Sequence, residues 1–309
     1  MTTPILPGVY SPVMTPFTRD AEPAVPQFVS LCRWLRRCGV GLAVFGTNSE
    51  ANSLTVSERL DLLDALIGAG IEPASLMPGT GSCAVGDAVQ LTRHATRHGC
   101  GGVLMLPPFY YKGVGDEGLF RYYARVIEAV ADDRLRIFLY HIPPVSQVPI
   151  SLPLIERLLR EFPGTVAGVK DSSGDWANTA AMIERFGPQG FLVYAGSETF
   201  LQRTLEAGGA GCITATGNVN PAAIVDACRR WREPGAQARQ ASLDATRAIF
   251  QKYSMIPAMK AAMAWKSGDG TWRSVRPPLV ELDGGQCRLL EDELAAAGFE
   301  LPDVDALRA

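Results

Sequence analysis

Eight short apolar runs alternating with amphipathic helical stretches predict an α/β protein, a (β/α)8 TIM barrel with a C-terminal helical extension. Three observations carry that prediction. The runs are rich in Val, Ile, Leu and Phe, too short for helices and mostly bounded by Gly or Pro, as strands buried on both faces are. Between them the apolar period changes to that of a helix. The first run leads into Ser11-Pro12-Val13-Met14-Thr15-Pro16 rather than a G-x-G-x-x-G turn, which disfavours an open nucleotide-binding sheet.

The expected strands are 8–10, 40–45, 75–78, 102–106, 136–140, 166–170, 191–195 and 211–214, and the expected helices are 26–38, 56–69, 86–98, 117–131, 153–162, 176–186 and 198–207. Ser57 and Asp116 suit helix starts, while Gly39, Gly70, Gly99, Gly187 and Gly208 stand just past helix ends. Gly79-Thr80-Gly81 is a tight turn, compatible with a phosphate or with a plain barrel loop. Beyond residue 220 the strand signal fades. Stretches 222–231, 236–266 and 286–297 are expected to be helical, and 272–282, with its Arg276-Pro277-Pro278, a loop. The expected division is a barrel over 1–219 and a helical extension over 220–309.

Composition excludes several function classes. The 309 residues carry 29 Lys+Arg against 32 Asp+Glu, a net charge of −3 that gives no basic surface for nucleic acid. No run of 18 apolar residues exists to span a membrane, and the first residues lack a basic, then apolar leader. Seven scattered cysteines, odd in number and without a C-x-x-C pair, read as reduced thiols in a cytoplasmic protein. His94 and His98 lie four apart on an expected helix, but Arg93 and Arg97 beside them suggest a solvated face. Neither a metal nor a cofactor is expected.

In a barrel the chemistry belongs at the C-terminal strand ends, where the loops converge. Those ends carry Thr15, Thr47, Tyr110, Tyr140, Lys170, Ser197 and Thr214. They offer hydroxyls and one amine, with no carboxylate pair, histidine base or cysteine, which disfavours glycosidase, triad or metal-hydrolase chemistry. Only five lysines exist (Lys112, Lys170, Lys252, Lys260 and Lys266), and Lys170 alone ends an expected strand. Its apolar neighbours Val166-Ala167-Gly168-Val169 favour loss of its proton, making it a nucleophile able to form a Schiff base with a ketone. The bland alternative is a lysine reaching out of the barrel mouth and pairing with Asp171. Tyr140, ending the run before, is either a proton relay to that amine or an aromatic capping the core.

These residues fall into spaced motifs: Gly46-Thr47-Asn48-Ser49-Glu50, Pro108-Phe109-Tyr110-Tyr111, Tyr140-His141-Ile142-Pro143, Gly168-Val169-Lys170-Asp171-Ser172-Ser173-Gly174, Gly208-Gly209-Ala210-Gly211-Cys212-Ile213-Thr214, Asn218, and Ile256-Pro257 followed by Lys260. Over nearly its full length the chain resembles the dihydrodipicolinate synthase / N-acetylneuraminate lyase superfamily of class I, Schiff-base aldolases and lyases. The resemblance implies that Lys170 forms an imine with pyruvate or a 2-keto-3-deoxy acid and that Tyr140 is the general acid/base. It makes Thr47 and Tyr110 a proton relay, with Tyr110 lent across a dimer interface in a homotetramer built as a dimer of dimers. Lys112, on the same loop, would face solvent or that interface. Asn48 and the backbone beside it would hold the keto acid's carboxylate, and Gly196 and Ile213 would line the pocket by their carbonyls. Lys260 matches a structural position.

Departures from the family pattern bear on the substrate. Val145 stands where the synthases carry an Arg that pairs with the carboxylate of their aldehyde substrate. Gly196-Ser197-Glu198-Thr199 and Ala215 match the neuraminate lyase pattern only in part. Ser49 replaces a glycine in the carboxylate loop, so a reshaped loop is expected there. His141 takes a position where Asn is common, either lining the pocket or packing. The expected reaction is cleavage of a 2-keto-3-deoxy sugar acid or a 4-hydroxy-2-oxo acid to pyruvate and an aldehyde, with Ser172 and Glu198 binding substrate hydroxyls. The alternatives are dehydration through the same imine, dihydrodipicolinate synthesis, and a non-catalytic keto-acid binder.

Overall fold

The computed structural model describes residues 8–307; the residues carrying the leader expectation lie mostly outside that range. In chain order the strands are β1 (Gly8–Ser11), β2 (Gly41–Leu42), β3 (Val103–Met105), β4 (Ile137–His141), β5 (Val166–Asp171), β6 (Leu192–Ala195) and β7 (Gly211–Ile213). The α-helices are α1 (Val25–Arg37), α2 (Val56–Gly68), α3 (Val85–Arg97), α4 (Asp116–Val130), α5 (Pro143–Ser146), α6 (Leu152–Glu161), α7 (Trp176–Phe186), α8 (Leu201–Glu206), α9 (Pro221–Arg229), α10 (Ala236–Phe250), α11 (Met255–Ser267) and α12 (Gly284–Ala296). Parallel strands alternating with helices, then a C-terminal set of helices, define the α/β barrel class expected from the sequence. The chain divides into two compact units, residue 8 with Glu72–Ile213 and Val9–Ile71 with 214–307.

In the first unit the sheet runs β7-β6-β5-β4-β3, parallel throughout. The strand expected at 75–78 is displaced. Ser75 ends a 3-10 turn, and pairing is a single bridge at Gly79, where Thr80 N–H donates to the Leu104 carbonyl at 3.0 Å. The apolar pattern marks a buried segment there but not which backbone groups pair. Helices α3, α4, α6 and α7 each turn one apolar stripe inward, with Leu91, Leu119, Tyr123, Leu158, Met182 and Phe186 buried. Each such large side chain contributes about 1.5–3 kcal/mol by leaving water. Helix α8 is shorter than expected, because residues 198–200 form a 3-10 turn before it.

Close strand contact explains Gly168. A Cβ there would lie 2.3 Å from the Leu192 carbonyl oxygen and 2.7 Å from the Phe138 ring. Gly168→Ala must therefore spread β5 from β6, two residues before Lys170, at a cost of about 1–3 kcal/mol. A melting curve matching wild type would show that the strands yield without cost.

The second unit pairs β1 with β2 in parallel, Tyr10 opposite Gly41 and Ser11 opposite Leu42. Its core includes Trp34, Phe250, Met259, Trp272 and Leu290. One expectation needs correction. The helix expected over 236–266 is two helices, α10 and α11, separated at 251–254. Pro257 explains the second start: it cannot donate in a helix interior, but in the first turn of α11 its missing N–H costs nothing. Ser57 lies in the first turn of α2, where it is expected, and Thr55 caps that helix, accepting from Glu58 N–H while the Glu58 carboxylate takes the Thr55 N–H.

Candidate active site

Strands β4 and β5 place Tyr140 and Lys170 directly opposite each other. Alternation along each strand then sends their side chains to the same face. The Lys170 Nζ donates to the Tyr140 hydroxyl at 3.2 Å, and both residues are only 2% exposed. Lys170 therefore does not reach out of the fold toward Asp171. The Asp171 carboxylate lies one residue on and accepts from Ser173 N–H at 3.0 Å, Asn178 Nδ2 at 3.0 Å and the Thr179 hydroxyl at 2.6 Å. A buried amine touching a buried phenol can attack a carbonyl carbon while the phenol moves the accompanying proton.

Five other predicted positions fall in the same unit. Ser172 continues from β5, its N–H donating to the His141 carbonyl at 2.7 Å. Gly196 follows β6, its N–H donating to the Asp171 carbonyl at 2.7 Å. A Cβ at Gly196 would sit 2.0 Å from Ser172 Oγ, so only glycine lets these loops meet. Glu198 is buried in the turn after Ser197, and Ile213 is the buried last residue of β7. Tyr110 is the exposed one, at 73% on the 106–115 loop and packed edge-on against Tyr111. Lys112 is exposed, as expected, and its ammonium also donates to the carbonyls of Phe109 and Ser146, tying that loop to the segment after β4.

Thr47 and Asn48 belong to the second unit, in a 3-10 turn over Thr47–Ser49. Ser49 does not take the positive φ expected of a glycine substitute. The left-handed residues are Phe45 (φ 61°) and Glu50 (φ 56°), on either side of the turn. Ser49 instead accepts from Gly46 N–H with its hydroxyl at 3.1 Å, and its carbonyl takes the Thr15 hydroxyl at 2.7 Å. Thr15 and Thr214 are thus occupied structurally, Thr214 by Arg247 Nη1 at 3.0 Å. A left-handed glutamate costs about 1 kcal/mol unless its surroundings hold it. Here Glu50 is fully buried, bonded to Lys260 Nζ at 2.5 Å and to the Arg276 N–H at 2.9 Å. Burial pulls the Lys260 ammonium below its usual value and Glu50 opposes that. Its structural assignment agrees with this pairing.

Arg276 is the residue the sequence concealed. Its guanidinium grips Glu58 at 2.5 and 3.0 Å, the Ser53 carbonyl at 2.8 Å and the Ala21 carbonyl at 2.6 Å. The Arg276 hydrogen bond, ahead of the caps from Thr55, lowers the Glu58 carboxyl from 4.5 to about 2. A depressed carboxyl stabilises the fold fully above its unfolded value and loses that contribution as pH falls toward 2. Acid titration of unfolding should therefore show a loss between about pH 4.5 and 2 that Glu58→Gln flattens. An unchanged slope in the variant would remove Glu58 from that account.

A buried amine in contact with a buried phenol, on adjacent strands of an α/β barrel, is the arrangement that Schiff-base chemistry calls for. The chain belongs to the Dihydrodipicolinate synthetase family, whose pattern it matches over residues 6–297, and is thus a pyruvate-using, class I enzyme of the aldolase and lyase type. It is 34% identical over 288 residues to an uncharacterized DapA-like lyase of Chloroflexus aurantiacus, covering 92% of this chain and 94% of that one. It is 32% identical over 279 residues to the 4-hydroxy-tetrahydrodipicolinate synthase of Thermus thermophilus, covering 88% of this chain and 90% of that one. Among solved structures it is similar to YagE of E. coli K12, a member of the dihydrodipicolinic acid synthase family in complex with pyruvate. That similarity has a TM-score of 0.87 at 26% identity, over 95% of this chain and 99% of that one. Among the described residues no helix is long and apolar enough to cross a membrane.

Proposed function

We propose that the protein cleaves a 2-keto-3-deoxy sugar acid, or a related 4-hydroxy-2-oxo acid, to pyruvate and an aldehyde. The observation that carries this is the 3.2 Å contact between the buried Lys170 amine and the buried Tyr140 hydroxyl. In this scheme the Lys170 amine adds to the C2 carbonyl, and loss of water leaves the protonated imine. Tyr140 takes the C4 hydroxyl proton as the C3–C4 bond breaks. The bond's electron pair enters the imine, giving an enamine and the free aldehyde. Protonation at C3 and addition of water then release pyruvate and the amine. By the family motif, Thr47 and Tyr110 relay protons to Tyr140, and the Asn48 backbone region holds the carboxylate. Ser172 and Glu198 serve the substrate's hydroxyls, with the Gly196 and Ile213 carbonyls lining the pocket. Tyr110, exposed in the single chain, fits a residue lent to a second copy in a dimer of dimers.

Synthase chemistry, named for the Thermus relative, is a second reading. Val145 argues against it, because a 61% exposed valine offers a carboxylated aldehyde no charged partner where the synthases carry Arg. A screen of 2-keto-3-deoxy acids and 4-hydroxy-2-oxo acids, scored by pyruvate release, tests the proposal. Release from one acyclic sugar acid is expected. A deoxy-keto acid product without pyruvate would replace cleavage by dehydration, and condensation of pyruvate with a carboxylated aldehyde alone would favour the synthase.

A further inference from the structure

One register step beyond Tyr140 and Lys170, His141 stands opposite Asp171. Strand alternation sends this second pair to the opposite face of the sheet from the first. The His141 ring is buried, and its Nδ1 accepts the Ile150 N–H at 2.9 Å. A neutral imidazole has one acceptor nitrogen and one donor. Since Nδ1 accepts, the proton is on Nε2, which lies 3.9 Å from Asp171 Oδ1.

The bond to Ile150 closes the segment 142–150 back onto the end of β4. Inside that segment Ser146 donates its hydroxyl to the Ile142 carbonyl at 3.0 Å and accepts the Val148 N–H at 3.2 Å. The Ser146 carbonyl takes the Lys112 ammonium at 2.8 Å, so the segment also docks the loop that carries Tyr110. One ring nitrogen thus fixes the chain that leaves Tyr140 and, through Ser146, the loop of a second phenol.

We propose that His141 is a positioning residue for the Tyr140–Lys170 pair, holding segment 142–150 through its unprotonated Nδ1, so that protonating the ring releases the segment and slows imine formation. An imidazolium carries N–H on both nitrogens, and its Nδ1–H would face the Ile150 N–H donor to donor. Asp171, on β5, is the charged group acting on the ring, and it favours the charged form. Burial is the larger effect and keeps the ring below the usual histidine value. Segment 142–150 meets the ring with the uncharged Ile150 amide, while Tyr140 and Lys170 alternate away to the other face.

The inference rests on the imine proposal, and its experiment has one arm independent of that chemistry. His141→Asn keeps a side-chain acceptor near the place of Nδ1 but cannot titrate in this range, whereas His141→Phe fills the space without an acceptor. In the first arm, hydrogen exchange at the Ile150 amide is compared after correction for intrinsic rates. Protection is expected in wild type and His141→Asn, lost in His141→Phe, and lost in wild type alone of the first two as the pH is taken below the usual histidine range. In the second arm, borohydride trapping of pyruvate on Lys170 is followed against pH. Wild type should slow on the acid side where His141→Asn does not, and His141→Phe should be slower by on the order of tenfold throughout. An acid limb unchanged in His141→Asn, or Ile150 protection intact in His141→Phe, overturns the inference. Should wild type trap no pyruvate at any pH, the imine proposal fails, and the exchange arm alone decides whether His141 holds the segment.

Discussion

Lys170→Ala should accumulate no pyruvate adduct on borohydride reduction and should lose turnover by on the order of 10³-fold or more, about 4 kcal/mol of transition-state stabilisation. On the proposed mechanism the effect is large because the lysine is the covalent partner, not one of several contacts. The described polar partner of Nζ is the Tyr140 hydroxyl, so the truncation leaves no carboxylate stranded by its loss. Circular dichroism and melting should accordingly stay close to wild type. Lys170→Arg should fail as completely, since a guanidinium remains protonated and cannot add to a ketone. Peptide mapping decides the matter among few competitors, since only four other lysines exist in the chain. An adduct of equal yield in Lys170→Ala, mapped to one of those four, would sink the assignment.

The second large effect concerns stability. Lys260→Met should cost about 3–5 kcal/mol, because it leaves the Glu50 carboxylate buried without its cation. Glu50 would keep only the Arg276 N–H among its described partners, and it sits in a left-handed conformation that needs support. The double variant Glu50→Gln with Lys260→Met removes both charges and should recover much of the loss. Chemical denaturation of the two variants and of wild type checks both statements. A double variant as unstable as Lys260→Met alone would show that the charges themselves are not the cause.

Much of the fold was legible because its signals are local. Runs such as 166–170 and 191–195 lie within a residue or two of β5 and β6, because short apolar stretches closed by Gly or a helix start have few other uses. The break between α10 and α11 was signalled by Pro257, which a continuous helix does not tolerate in its interior, but Lys252-Tyr253-Ser254 continues a helix-compatible pattern that masks where it falls. Lys170 could be singled out by scarcity and Tyr140 by its place at the end of the preceding run. The partners of His141, Asp171, Glu50 and Arg276 could not be read, because they depend on register or are far away in the chain. Glu50 and Lys260 are 210 positions apart, and nothing in either neighbourhood names the other. Arg276, which grips three separate segments, sits in a stretch that reads only as a loop.

The strict alternation at the end of β5 has an evolutionary consequence. Lys170 and Asp171 are adjacent letters serving opposite sides of one sheet, an amine for chemistry and a carboxylate anchoring α7. Inserting or deleting one residue upstream in that strand would exchange them, placing an acid where the nucleophile belongs. New substrates can therefore be reached by rewriting or resizing the exposed 106–115 loop, while an indel inside the strand would displace the proposed nucleophile. Lineages that diverge in specificity should vary in the loops and keep the reading frame of β5.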